Sequence, residues 1–395
     1  MLASVMVPVV ASVLMFPGCW GTRPSPVCPF CSPSADHFSD QVAEADFVLF
    51  GTFTNARKDP NDPAFNNGTT DLTVEQVIKG HDSVKGKKVI TIPRYIPADP
   101  KAPNEKYVVF FKLSDGKPDA FRGVAIPAES KFLDYLKRAI EARSKDIAGR
   151  LTFFFDYLES PESLISGDAL AEFGATEYKD LRPVAEKWKG DPARGKQLLA
   201  WLQDKNTCSA RLGLYGLLLG HCGKPEDAKA LLALISHPKH SYSGGYTGVL
   251  VGYIMLDPKA GWGSLLGTIR VEEFPERYAC LQIARFFWER RPDVIARPQL
   301  IDAMKIAMAQ PDMADLPMED LRRAKVWDQT AIVLSYASKE SHNSIPIVNR
   351  TILKFALAAA AADPKNAEAV AFVKKAREKD PDKVKFLEGL LKEVQ

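Results

Sequence analysis

The feature that most constrains this chain is a change in the period of its apolar residues near Pro127. Upstream, apolar side chains alternate or sit in short blocks rich in Val, Ile, Phe and Thr. Downstream, they recur every three to four residues almost to the end. Period two suits a pleated strand and period 3.6 a helix, and one segment cannot satisfy both. The 395 residues therefore divide into a β-module and a larger helical part, in keeping with a length that suggests two or three domains.

Within the first part, Ser39 or Asp40 caps a short helix over 39–46. Strands are predicted at 47–54, at 69–78 with Leu72 and Val74 inward, and at 88–92, 107–113 and 121–126. Five short strands with loops of unequal length predict a small antiparallel barrel or sandwich. Three runs then carry a resemblance: Ala45-Asp46-Phe47-Val48-Leu49-Phe50-Gly51, Val74-Glu75-Gln76-Val77-Ile78-Lys79-Gly80 and Glu105-Lys106-Tyr107-Val108-Val109-Phe110. Together they resemble the netrin-type module, the OB-fold domain also found in tissue inhibitors of metalloproteinases and in many exported bacterial proteins. The resemblance spans roughly residues 28–127 and implies an OB-like barrel. In the inhibitor family a mature N-terminal Cys binds the protease zinc, and the resemblance gives that role to Cys28. The spacing Cys28-Pro29-Phe30-Cys31 departs from the Cys-x-Cys of those inhibitors.

From residue 128 to 395 the pattern is helical. Phe132, Leu133, Leu136 and Ile140 form a first stripe, and short breakers such as Gly190-Asp191-Pro192, Gly223-Lys224-Pro225 and Asp257-Pro258 separate later ones. Helices of about 8 to 15 residues with short loops predict antiparallel hairpins. The runs at 212–220 (LGLYGLLLG) and 230–235 (ALLALI) resemble HEAT-like repeats, which implies an α-solenoid. The expected fold class is α+β: a small antiparallel OB-like β-barrel followed by a large all-α, solenoid-like domain. Gly213, Gly216 and Gly220 predict close helix packing, and the stretch 237–248 reads as a loop crossing one face of the stack.

Compartment comes from the N-terminus. Residues 2–16 form an apolar run interrupted by Pro8, short for a span, so residues 1–27 read as an export signal. Phe16-Pro17-Gly18-Cys19 resembles a lipobox, which implies lipidation of Cys19 as the one route to a membrane. Cys28 and Cys31 follow in a Pro-rich stretch and are candidates for a structural disulfide. A thioredoxin-like redox pair lacks its preceding βαβ unit, and half a zinc site lacks a second Cys-x-x-Cys.

Function is less explicit. Cys208, His221, Cys222, His237 and His240 read as the one Cys/His concentration in the chain and stand as metal-ligand candidates, although their spacing matches no zinc motif. His37, His81 and His342 fall in segments that read as exposed loops. Glu319-Asp320 are sequence neighbours, which do not face each other on a helix, so salt bridges and caps are expected of them rather than acid/base work. No nucleophile elbow, His-Glu-x-x-His, dinucleotide fingerprint or kinase set is present. Lys plus Arg at 52 against Asp plus Glu at 49 leaves +3, without the clustered excess that nucleic acid demands. The expectation is an exported, non-catalytic binding or scaffolding protein with no cofactor and a protein or small-ligand partner. The alternatives are a thiol- or metal-dependent enzyme assembled from dispersed Cys28, Cys31, His221 and His237, and a netrin-like protease inhibitor.

Overall fold

The computed structural model describes residues 37–59, 67–97, 102, 105–236, 245–271 and 273–393. A short helix α1 (Phe38–Glu44) precedes five strands, β1 (Phe47–Lys58), β2 (Gly68–Lys79), β3 (Val89–Ile92), β4 (Lys106–Ser114) and β5 (Lys117–Ile126). All pairs are antiparallel, in the order β3-β2-β1-β4-β5. The Asp115-Gly116 pair closes the β4–β5 hairpin with both residues at positive φ, 50° and 76°, as a two-residue turn of matching twist requires.

At the central strands β1 and β4 both faces of the sheet are buried, which explains why β1 opens as an unbroken apolar block. Phe47, Leu49 and Phe53 join Leu72, Ile90, Ile92, Val109, Phe111 and Ala120 on one face, with Phe47 stacked on its cross-strand partner Phe111 at 4.6 Å. Val48 and Phe50 turn the other way, with Val108, Phe110, Val124 and Ile126, to meet Phe38, Val42, Phe132 and Leu136 of the helices. At Gly51 the β1 backbone lies so close to β2 that a Cβ would sit 2.0 Å from the Thr73 carbonyl oxygen, at a break in the register.

The expected OB-like barrel is corrected here. β3 and β5 are the two edges of an open sheet, and no hydrogen-bonded ladder joins them. β3 has only four residues, all paired to β2, whereas closure needs a second ladder along its free edge. The first core draws on both edge strands, so the sheet curls around its apolar face without closing.

The helical region comprises α2 (Phe132–Arg143), α3 (Ile147–Phe155), α4 (Ser163–Ala175), α5 (Tyr178–Lys187), α6 (Pro192–Gln203), α7 (Ser209–Cys222), α8 (Ala228–Ile235), α9 (Tyr246–Leu256) and α10 (Pro258–Thr268). It continues with α11 (Phe274–Arg290), α12 (Arg297–Met308), α13 (Asp315–Arg323), α14 (Thr330–Ser335), α15 (Glu340–Asn343), α16 (Pro346–Ala362), α17 (Ala367–Lys379) and α18 (Pro381–Glu393). Asp191-Pro192 and Asp257-Pro258 start α6 and α10: the Asp side chain accepts a first-turn N–H, and Pro occupies a position whose N–H has no helical acceptor. Successive helices stack into an extensive solenoid-like region. Lengths from four to seventeen residues leave no fixed repeat unit, which removes the physical basis for the HEAT-like reading.

α9 begins inside the stretch expected to be a loop, 237–248. It is buried without a break from Gly248 to Ile254, apolar on every side of that run, so it carries no stripe for periodicity to detect. Its glycines meet those of α7 backbone to backbone: a Cβ on Gly248 would fall 2.1 Å from the Gly213 oxygen, and one on Gly252 would fall 2.0 Å from the Gly216 oxygen.

A buried polar network joins α1 to the first helices. Asp168 of α4 accepts from the Phe38 N–H at 2.9 Å and from the Tyr135 hydroxyl at 2.7 Å. Glu172, one turn on, pairs with Arg150 at 2.7 Å and Arg143 at 3.4 Å, and Arg143 also reaches Asp40 at 2.6 Å. The His37 ring is buried with Nδ1 3.8 Å from both carboxylates, so the expectation of an exposed His37 is corrected. Buried carboxylates need such partners because an unpaired one costs several kcal/mol, roughly 3–5 when a partner is removed.

Candidate binding cleft between the late helices

The side chains with most unassigned chemistry line a cavity of about 660 Å³ between α11, α12, α13, α16 and α18. Helical spacing puts them there. Asp315, Glu319 and Arg323 lie at i, i+4 and i+8 on α13, and Ile347, Arg350, Thr351 and Lys354 at i, i+3, i+4 and i+7 on α16. Arg285, Trp288 and Glu289 face them from α11.

Most of these charges already have internal partners. Arg322 holds Glu319 with two hydrogen bonds of 2.8 and 2.7 Å, Arg323 adds one of 3.1 Å, and the Lys354 ammonium stands 3.9 Å away. Burial alone would raise the Glu319 pKa, but the hydrogen bond and charge of Arg322, with Lys354, outweigh it and hold the carboxyl below its ordinary range. Asp320 shows the opposite balance: burial raises it, although Arg285 donates to it at 2.7 Å. Burial also raises Asp315. Among the described residues Asp315 and Arg350 have no ion-pair partner, so the cleft presents one open carboxylate and one open guanidinium. Half-buried Trp288, stacked under the Arg297 guanidinium at 4.3 Å, and Ile347, 46% exposed, supply apolar surface beside them.

A second hollow, of about 730 Å³, lies over Tyr135, Tyr157 and Trp201. Its acids are largely engaged: Asp156 with Arg194 at 2.6 Å, Glu159 with Arg211 at 3.0 Å and the Tyr215 hydroxyl at 2.5 Å, and Glu162 with the Ser130 hydroxyl and the Lys131 N–H.

The residues singled out from sequence do not assemble into a site. Cys208 is exposed at the start of α7, whereas His221 and Cys222 are buried at its end, about 20 Å away at 1.5 Å per residue. His221 binds the Tyr178 hydroxyl at 3.0 Å, and burial, with Arg291 and Arg182, pushes its pKa down to about 3. Burial pushes the Cys222 thiol up to about 12. No group of three metal-ligating side chains converges among the described residues. His237, His240, Cys19, Cys28 and Cys31 lie outside those residues. Cys208, Cys222 and Cys280 are free thiols, and the disulfide expected of Cys28 and Cys31 falls outside the described residues. His342, expected to be exposed, is buried as a strut: Nε2 lies 2.9 Å from the Met308 carbonyl oxygen, and the ring packs at a tilt of 35° against Tyr336 at 4.5 Å. His81 is exposed as expected and caps a short turn.

Adjacency in sequence hides the cleft, because Glu319 and Asp320 point to different sides of α13. The spacing Asp315-x-x-x-Glu319-x-x-x-Arg323, opposite Arg350-x-x-x-Lys354, carried the signal. No described helix is long and apolar enough to cross a membrane. No family model, curated protein or solved structure matches the chain. With the open sheet and the irregular helix lengths, this removes the netrin-type, OB-fold and HEAT-like identities.

Proposed function

We propose that this chain is an exported, non-catalytic binding protein that receives a segment of a partner protein in the cleft between α11, α13, α16 and α18. The observation that carries this is the pairing of the cleft's charges. Glu319 and Asp320 are held by guanidinium groups, which leaves Asp315 and Arg350 as an open dipole beside Trp288 and Ile347. A polypeptide answers such a surface with one basic and one acidic side chain around an apolar one. The apolar run at 2–16 supports export, and N-terminal sequencing of the mature protein tests it.

A photo-crosslinking amino acid in place of Ile347, compared with one in place of Phe121 on β5, tests the reading in the native cell envelope. The expected result is one adduct of defined mass from position 347 that Arg350→Glu abolishes. Equal adducts from both positions, or none from 347, would overturn it. The opposed pKa shifts of Glu319, held down by Arg322, and Asp320, raised by burial, favour a second reading, an acid/base hydrolase. Turnover of a glycoside or ester panel by the wild type but not by Asp320→Asn would establish that reading instead.

A further inference from the structure

We propose that a separate hollow between α16, α17 and α18 binds a small amphiphilic anion: an apolar chain or ring bearing a carboxylate or phosphate monoester. The hollow has a volume of about 320 Å³, at the lower end of the range of small-molecule sites. Its apolar floor is made by Ile352, Leu353 and Phe372. Its rim carries Lys375, Lys379 and Lys383.

Two observations give the ligand its charge. First, the three ammonium groups have no carboxylate within ion-pair distance among the described residues. The one acid of the lining, Asp380, accepts the Lys383 backbone N–H at 3.0 Å as the cap of α18. Like charges four residues apart on a helix, as Lys375 and Lys379 are, repel, and a bound anion relieves that cost. Second, the polar wall is oriented to donate. The Lys383 ammonium, which has only donors, lies 3.3 Å from Asn349 Oδ1 and so fixes that oxygen toward itself. Asn349 Nδ2 then donates to Asn343 Oδ1, and both amide oxygens are engaged. The Asn343 NH2 has no acceptor among the described residues and ends the relay as a further donor. A floor without polar groups and a rim of N–H donors select an anion with an apolar tail over a bare anion or a neutral lipid.

Isothermal titration of the full chain with sodium octanoate and with octyl phosphate tests the proposal, with octanol, inorganic phosphate and phosphatidylglycerol vesicles as comparison arms. Saturable binding of one octyl anion per chain is expected, at least tenfold weaker for octanol and for inorganic phosphate. The exposed Lys375→Glu/Lys379→Glu variant should lose at least tenfold in affinity with its melting temperature unchanged. Ala376→Phe, which fills the hollow, should lose binding by a route independent of charge. Three results would overturn the proposal: no binding of either octyl anion, equal binding by the charge-reversed variant, or binding of vesicles without binding of free octanoate.

Discussion

The contact between α7 and α9 makes the sharpest quantitative claim. A Cβ on Gly248 lands 2.1 Å from the Gly213 oxygen and 2.5 Å from its carbonyl carbon, against about 3.3 Å for an ordinary close carbon–oxygen contact. The obstructing atoms are backbone, so no rotamer change relieves them, and the helices must part by about 1 Å. Overpacking of this kind costs about 1–3 kcal/mol. Replacing Gly by Ala in a helix returns about 1 kcal/mol. With a rigid obstruction the cost lies at the upper end, so Gly248→Ala and Gly252→Ala should each destabilise by about 2 kcal/mol net. Gly263→Ala and Gly267→Ala on α10, where a Cβ meets nothing within 4 Å, should instead stabilise by about 0.5–1 kcal/mol. Native-state hydrogen exchange of α7 and α9 peptides reads the local opening energy without assuming that the chain unfolds in one step. If Gly248→Ala protects these helices as well as Gly263→Ala protects α10, the close-approach argument fails.

Three other outcomes follow from buried groups. His221 titrates near 3 in the fold and near 6.5 when unfolded, so the unfolded chain takes up the proton first. Its contribution is complete above about pH 6.5 and declines as pH falls toward 3, by about 2 kcal/mol at pH 5. Asp315 and Asp320, raised in the fold, act with the opposite sign, so the measurement is the difference in melting temperature between wild type and His221→Gln from pH 7 to 5. An unchanged slope in the variant would refute the assignment. Tyr135→Phe removes a buried donor from Asp168 and should cost about 1–3 kcal/mol by thermal unfolding; a neutral result would mean that the network around His37 contributes nothing. Native alkylation followed by mass spectrometry should label Cys208 and spare Cys222 and Cys280, whose thiols burial pushes up to about 12, until denaturant is added.

What could be read from the sequence depended on whether the signal was local. The strand and helix segments were legible where an element had one wet face, as in β2 or α2, because burial then imposes its period on the residues. α9 was not legible, since burial on every side leaves no period. The openness of the sheet was not legible either: closure depends on whether β3 and β5 form a ladder, and five alternating segments read the same in both cases. His37 and His342 sit in segments of loop-like composition, and only tertiary packing buries them. The cleft lay between these extremes, its charges spaced for one helix face but its opposing helices unknowable from either segment alone.

The change of period at Pro127 marks a change of secondary structure without a change of core. Val48, Phe50 and Phe110 of the sheet belong to one continuous apolar cluster that runs through Phe132 and Leu151 to Phe355 and Ala369 near the end of the helices. α1 is the joint. Phe38 packs edge-on against Phe132 at 4.9 Å while its N–H binds Asp168, and the Lys79 ammonium, from β2, donates to the carbonyl oxygens of Val42, Ala43 and Ala45 at 2.5–2.9 Å. Sheet and stack are thus fastened through apolar area and through buried charge. Apolar contact is non-directional and tolerates sliding, whereas the Asp168 and Glu172 partners fix one relative placement. The same cluster continues through Phe286, Leu321 and Ile352 of α11, α13 and α16, so the helices that line the cleft with Asp315 and Arg350 share one core with the sheet.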